Sequence, residues 1–492
     1  MKDEHIFLSK SQFIKGLQCL QYLYLFKYHP ELKDETPESK EATYQSGIDI
    51  GILAQSLFPD GIAIPYDDVL YEEQMRLTFD AIKAGRSAIY EATFFKDNLF
   101  VKVDILSRER GGWAINEVKG STQAKDVHYN DIAFQYHVLN SMDITIKKAN
   151  VVHINNEYER VGELELDKLF VIEDITKDVK SIQKEIKRSI SLQRELMEGN
   201  SPAIDIGDHC SDPYECEFTG HCWKHIPDPS VFSIRGRGVG ALDFYKRGII
   251  NLEDVPQTDL PEHAQLQVKA YLEKGTYIDK KPIKEFLDSI WYPIALLDFE
   301  TFMAAVPPFD HVKPYEQIPF QYSLYVQKAK NKELEHYKYL ANPNIDPRKT
   351  LIEKLISEIP KGSCVLAYNM AFEKRILNRL MEVFPQHEKA ISRITDNMMD
   401  LMVPFKNQAF YSWQMMGSYS LKAVLPVLVS ELSYDDLAIG DGGMAMDAYA
   451  KMCNSNNEEE INNIRLALLE YCHLDTLAMV KLLDRLRELV ER

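Results

Sequence analysis

Acidic and phenolic side chains fall in three short clusters in the C-terminal part of the chain. Asp298 and Glu300 end the apolar run IALLDFET, Glu373 lies in LAYNMAFEKRIL, and Tyr471 and Asp475 lie in EYCHLDTLAM. Four carboxylates brought to one sheet edge repel one another unless cations hold them together. The chemistry such a set suits is attack on a phosphodiester assisted by a pair of magnesium or manganese ions.

A second constellation occupies the N-terminal part. Asp104 ends a predicted strand, and Glu117-Val118-Lys119 lies on the next, with Glu117 and Lys119 on one face. Glu91, on the strand before, adds a carboxylate, and Gln135 follows on a predicted helix. There are seven cysteines. Cys210, Cys216 and Cys222 are evenly spaced in HCSDPYECEFTGHCW, and Cys19 stands near the N-terminus. Four thiolates suit zinc or an iron–sulfur cluster, and spacing does not choose between them. Cys364, Cys453 and Cys472 stand alone and are expected to be buried or incidental thiols.

The elements that must position these groups can be read from periodicity. Ile294 to Leu297 form a continuous apolar run, the pattern of a strand covered on both faces, so Asp298 and Glu300 point to the same side. Two more apolar runs, IPFQYSLYV and EHYKYLAN, are followed by a helical PRKTLIEKLISEI, a strand GSCVLAYN and a helical AFEKRILNRLMEVF. Glu373 falls in the first turn of that last helix, just beyond Asn369. The segment INNIRLALLEYCHLDTLAMVKLLDRLREL has helical periodicity and puts Tyr471 and Asp475, four apart, on one face. In the N-terminal part, IYEATFFKDNLFVKVDILSRERGGWAINEVKGST reads as three strands joined at KDN and RERGG. A helix in GIDIGILAQSLF precedes them; a helix in KDVHYNDIAFQYHVLN and a strand in ANVVHINN follow.

Over residues 289–492, the order β-β-β-α-β-α…α with these acids resembles the RNase H-like exonucleases of the DnaQ type, in the subclass ending in Tyr-x-x-x-Asp. That resemblance implies metal binding by Asp298, Glu300 and Asp475, completion of the site by Glu373, and positioning of the attacking water by Tyr471. The family's second motif usually ends in Asp; here Glu373 stands there, one methylene longer. Residues 1–226 resemble the PD-(D/E)XK nucleases of the RecB type, which implies catalytic roles for Glu91, Asp104, Glu117, Lys119 and Gln135, with Asp104 and Glu117 binding the metal and Lys119 orienting or activating water near the scissile phosphate. Relatives usually carry a histidine on the first helix, where this chain has Gln55 as the nearest polar residue. A lone early cysteine, then the nuclease core, then three clustered cysteines resembles the iron–sulfur members of that group. This favours a 4Fe–4S cluster on Cys19, Cys210, Cys216 and Cys222 over zinc. The resemblance as a whole is to an uncharacterised bacterial family joining the two halves.

Between them, residues 227–288 read as a helical linker opening after Pro227 and Pro229. Its RGRGVGALDFYKRGI resembles a helix-hairpin-helix-like element, and residues 230–250 carry four basic residues and one acid. At 492 residues, the chain is long enough for two or three α/β domains. A formal net charge of −18 argues against a protein that coats nucleic acid nonspecifically, while bound cations would partly invert the field at an acidic site. MKDEHIFLSK opens with mixed charge and no apolar run approaches a membrane span, so a cytoplasmic location without membrane attachment is expected. The expectation is a metal-dependent nuclease: a 3′→5′ exonuclease half beside a second nuclease half, acting on DNA in repair or defence, with room for a protein partner. The alternatives are an RNA exonuclease or a noncatalytic nucleic-acid-binding protein.

Overall fold

The computed structural model describes residues 7–35, 38–65 and 69–491, apart from the side chains of 38–46. It is a mixed α/β chain that forms two compact units. One comprises residues up to 225 together with 304–315; the other comprises 226–303 and 316 onward. Among the described residues, no helix is long and apolar enough to cross a membrane.

The first unit is built on a seven-stranded sheet. Its centre is the antiparallel succession Ala88–Lys96, Leu99–Glu109 and Gly112–Lys119, and Ile146–Ile154 joins the last of these in parallel. The first hairpin turns at Asp97 and Asn98, both with positive φ, a conformation Asp and Asn tolerate and one whose twist matches the flanking strands. Helix Asp126–Ser141 covers one face, burying Ile132, Ala133, Phe134, Val138 and Leu139 completely. Helix Lys10–Gln18 packs against it through a Phe13–Phe134 ring stack at 4.5 Å.

The second unit holds a five-stranded sheet in the order Leu334–Leu340, Ile318–Gln327, Ile294–Phe302, Cys364–Ala367, Met398–Asp400. The first three strands are antiparallel neighbours, and the last two run parallel to Ile294–Phe302. The alternation of the Ile294–Phe302 strand separates two cores. Ala295, Leu297 and Phe299 pack with Leu351, Ile352, Ile376 and Leu377 from helices Arg348–Glu358 and Ala371–Val383. Ile294 and Leu296 pack on the other face, with Ala478, Met479, Leu482 and Leu483 of the long helix Glu458–Glu491. Asp298 and Glu300 share the parity of Leu296, so they lie beneath that helix.

The segment 227–288 lies within the second unit. Its glycine-rich stretch forms a loop with Gly236 at φ +123° and Gly238 at φ +85°, followed by the short helix Ala241–Lys246 and, further on, helix Glu262–Glu273. Val231, Phe244, Leu252, Ala264 and Val268 form its own small core.

Leu351 is fully buried, whereas its near neighbour Lys349 is exposed. Leu351→Ala is expected to destabilise the second unit by about 2–5 kcal/mol, and Lys349→Ala by under about 0.5 kcal/mol. Denaturant-dependent hydrogen exchange in the Ile294–Phe302 strand reads both.

Candidate active site

Cross-strand register fixes the acids of the second unit. Asp298 stands opposite Ser323 and Glu300 opposite Gln321. Ser323 Oγ hydrogen-bonds Thr476 Oγ1 at 2.5 Å, and Gln321 Nε2 donates to the Leu468 carbonyl at 2.7 Å. These two bonds pin the Glu458–Glu491 helix on either side of Tyr471 and Asp475, which lowers the buried Asp475 carboxyl onto the acidic strand. Glu373 arrives from a different direction. Cys364–Ala367 ends at Asn369, whose φ of +70° turns the chain into helix Ala371–Val383, and Asp400 Oδ1 accepts from the Asn369 N–H at 3.0 Å. Glu373 is 2 % exposed in the first turn of that helix.

Asp298 and Glu300 feel the charges of the other carboxyls. Burial, then Asp475, Glu300 and Glu373, holds Asp298 well above the usual carboxylate range. Burial and Asp475 push Glu300 up to about 8, against the pull of Lys422. Burial with Asp400 pushes Glu373 up to about 8, and burial pushes Asp475 up to about 6. Asp475 rises least because Tyr434 donates to its Oδ1 at 2.5 Å and Tyr471 also hydrogen-bonds it. Lys422 Nζ lies 5.4 Å from the Tyr434 ring centre and 5.8 Å from that of Tyr471. Glu373 Oε2 is buried without a hydrogen-bond partner. Cys472, expected to be a buried or incidental thiol, is fully buried and donates its thiol to Asp298 Oδ2 at 3.7 Å. Asp298, Glu300 and Cys472 each offer a ligand atom within 4.8 Å of the others. Burial and the three acids hold the thiol protonated, so Cys472 serves as a neutral donor to the carboxylate. His473 faces away from this cluster, toward His336 at 3.4 Å.

The first unit brings together its candidates differently. Glu117 Oε1 accepts from Lys119 at 2.7 Å and from Lys10 at 2.6 Å, and Glu117 Oε2 accepts from Gln135 at 2.7 Å. Asp131 receives Lys119 at 2.7 Å and Gln135 at 3.2 Å. Asp104 Oδ2 accepts from the Val118 N–H at 2.8 Å. Burial is outweighed at Glu117 by the two lysines, which hold its carboxyl far below the usual range. Asp104 goes the other way, pushed up to about 7 by burial and by Glu117. Glu91 sits at φ +58° opposite Asp104, where the strand pairing is interrupted between Tyr90 and Ala92; burial raises its carboxyl too.

Cys19, Cys210, Cys216 and Cys222 line one small cavity, and none is in a disulfide. Burial and the three other thiols push Cys216 up to about 12. Around them, Glu217 accepts from Lys15 at 2.5 Å, Lys33 at 2.7 Å and the Tyr22 hydroxyl at 2.8 Å, which ties the first two helices to the cysteine segment.

Sequence reasoning passed over Lys10, Asp131, Lys422, Tyr434 and Asp400. Lys422 and Tyr434 lie far along the chain from any quoted motif, and Lys10 lies more than a hundred residues from the Glu117 it meets. Asp131 was within reach, since it precedes Gln135 by one helical turn.

Residues 295–420 match a family described as a domain of unknown function (DUF2779). The matched span holds Asp298, Glu300, Glu373 and Asp400 and stops before Tyr471 and Asp475. The uncharacterized protein MG366 of Mycoplasma genitalium is 26 % identical over 244 residues, 45 % of this chain and 36 % of that protein. Its homolog in Mycoplasma pneumoniae is 26 % identical over 258 residues, 47 % and 38 % of the two chains. The uncharacterized protein UU173 of Ureaplasma parvum is 26 % identical over 220 residues, 39 % of this chain and 31 % of the relative. The chain thus spans about a third of the length of the curated relatives it matches.

Glu300 has a folded value of about 8 against an ordinary 4.5, so the folded protein holds its proton more tightly than the unfolded chain does. In chelator this contribution favours folding least at high pH and is lost as pH rises from about 4.5 to about 8. Glu300→Gln is therefore expected to gain stability over the parent across that interval, and manganese should shrink the gain. Urea unfolding at a series of pH values, with and without the metal, measures both.

Proposed function

We propose that the second unit is a metal-dependent 3′→5′ exonuclease acting on DNA. The observation that carries this reading is the convergence of Asp298, Glu300, Glu373 and Asp475, from three elements, on one buried patch with Tyr471 beside it. Magnesium or manganese fits that patch: the donors are hard oxygens, their mutual repulsion calls for positive charge, and Glu373 keeps a buried oxygen without a partner. Asp298, Glu300 and Asp475 would hold the ions, which when bound supply charge stabilisation to the attacking and leaving oxygens of a phosphodiester. Tyr471 holds its phenol against Asp475, where it can orient a water by hydrogen bonding. Tyr434 fixes the Asp475 carboxylate from its other side. Lys422 places a fixed positive charge at the edge of the acids, suited to a phosphate oxygen. Sheet order, with three antiparallel strands followed by two parallel ones, supports the RNase H-like reading of this unit.

The first unit we read as a RecB-like nuclease domain, with Asp104, Glu117, Lys119 and Gln135 around one carboxylate cluster. The double clamp of Lys10 and Lys119 on Glu117 supports a second reading for this half alone, as a strand-engaging platform that holds phosphates without cutting them. The four cysteines fit a thiolate-bound group by donor chemistry and by their shared cavity. A 4Fe–4S cluster is our assignment, with zinc the alternative, and its role is structural: it would close the ends of the unit on each other.

Anaerobically purified full-length protein should shorten 3′-extended, 5′-labelled DNA stepwise in manganese. Asp475→Ala should lower that rate by about 10³-fold or more, the scale of losing a group that stabilises transition-state charge. Lys119→Ala should leave the stepwise products in place. RNA cleaved in preference to DNA would reassign the polymer. No cleavage of either polymer, with manganese binding absent by calorimetry, would overturn the exonuclease reading.

A further inference from the structure

The second unit contains a groove of about 580 Å³ apart from the acidic patch. It is lined on one side by Arg235 and His263, and on the other by Lys406, Gln408 and Tyr419. None of the residues lining it is Asp or Glu, in a chain with 75 acids against 57 lysines and arginines. Among the described residues, neither Arg235 nor Lys406 is in a carboxylate ion pair. His263 Nε2 is buried there without a hydrogen-bond partner.

The basic wall is held in place. Gln267 grips the Arg235 backbone at both ends, accepting from its N–H at 2.9 Å and donating to its carbonyl at 2.8 Å. Gly236, at φ +123°, lets the loop run against His263; a Cβ there would stand 2.1 Å from His263 Nε2. Gln408 Nε2 donates to the His263 carbonyl at 2.8 Å, which ties the two walls together. Tyr419 is 41 % exposed, so an aromatic face is on offer beside the cations.

The far wall leads to the acidic patch. Tyr419 accepts through its carbonyl from the Tyr368 hydroxyl at 2.7 Å, and Tyr368 immediately precedes Asn369 at the start of the Glu373 turn. Ser420 lines the groove, and Lys422, two residues on, stands over Tyr434 and Tyr471. A chain of phosphates lying in the groove would therefore continue along this wall toward Lys422 and the carboxylates.

We infer that this groove binds single-stranded polynucleotide: Arg235 and Lys406 take phosphates, His263 offers a hydrogen bond, and Tyr419 stacks a base. The inference rests on the exonuclease reading for its direction of travel, but the binding itself does not need the chemistry.

The test uses full-length protein and two substrates. One is the p-nitrophenyl ester of thymidine 5′-monophosphate, too small to reach the groove; the other is a labelled single-stranded oligonucleotide, as DNA and as RNA. The paired substitution Arg235→Ala with Lys406→Ala should raise KM for the oligonucleotide about tenfold or more, leave kcat within about twofold, and leave ester hydrolysis unchanged. Fluorescence anisotropy in calcium should show weaker oligonucleotide binding, with a salt slope smaller by about 1.4 for the two lost contacts. Tyr419→Ala should weaken binding while keeping the salt slope. If anisotropy and KM are unchanged while the ester and oligonucleotide are still cut, the groove is not the strand site and the exonuclease reading survives. If the parent cuts neither substrate, that reading falls, and anisotropy alone then decides the groove. Tighter binding of RNA than DNA would identify the strand as RNA.

Discussion

Like charge held out of water is the constraint around which the second unit is arranged. Asp298 and Glu300 are two apart on one strand, and two helices bring Asp475 and Glu373 near enough for their charges to act on both. The other acids raise the proton affinity of Asp298 and Glu300, and at Glu300 Lys422 offsets only part of the repulsion. Such a patch is stable when something positive is taken up or when protons are retained. Two cores on opposite faces of the Ile294–Phe302 strand fix its orientation, and Gln321 and Ser323 bolt the long helix across it.

Glu117 of the first unit is handled in the opposite way from the acids of the second. In the first, Glu117 is met by Lys10, Lys119 and Gln135, so its charge is neutralised by the protein's own ammonium groups. In the second, the corresponding work is left to phenols, a thiol and one distant lysine. The first arrangement favours an ionised Glu117 at any ordinary pH, while Asp104 in the same cluster is pushed up to about 7. The second leaves the carboxylates poised between protonation and cation binding. A divalent ion would have to displace an established pair in the first unit, whereas in the second it would relieve a repulsion.

Much of the acidic patch was legible because strand parity and helical spacing are local rules. Asp298 with Glu300, and Tyr471 with Asp475, share a face whatever the rest of the chain does. The apolar runs likewise announced the strands that carry them. Gln321 and Ser323 could also have been found: two polar residues at alternate positions of an otherwise apolar strand, IPFQYSLYV, mark a face that meets hydrogen-bonding groups. Lys422 and Tyr434 could not, because what brings them to Asp475 is tertiary packing, and no periodicity singles them out. Lys10 was invisible for the same reason, more than a hundred residues from the Glu117 it clamps. Cys472 was read by its isolation in sequence, which says nothing about the acid one strand below it.

The path of the chain has a consequence for anyone wishing to divide the protein. Residues 304–315 leave the second unit between its first two sheet strands and pack with the first unit, where Arg160 donates to the carbonyls of Pro307 and Pro308 and the Gly162 N–H donates to Asp310. The covalent thread therefore passes between the units three times. A single cut near residue 226 frees neither half whole: one is left short of a strip of its surface, and the other carries that strip as an orphaned loop. The two halves are interlaced rather than strung in series, so gene fission, domain shuffling or a simple truncation would each have to repair two broken surfaces at once.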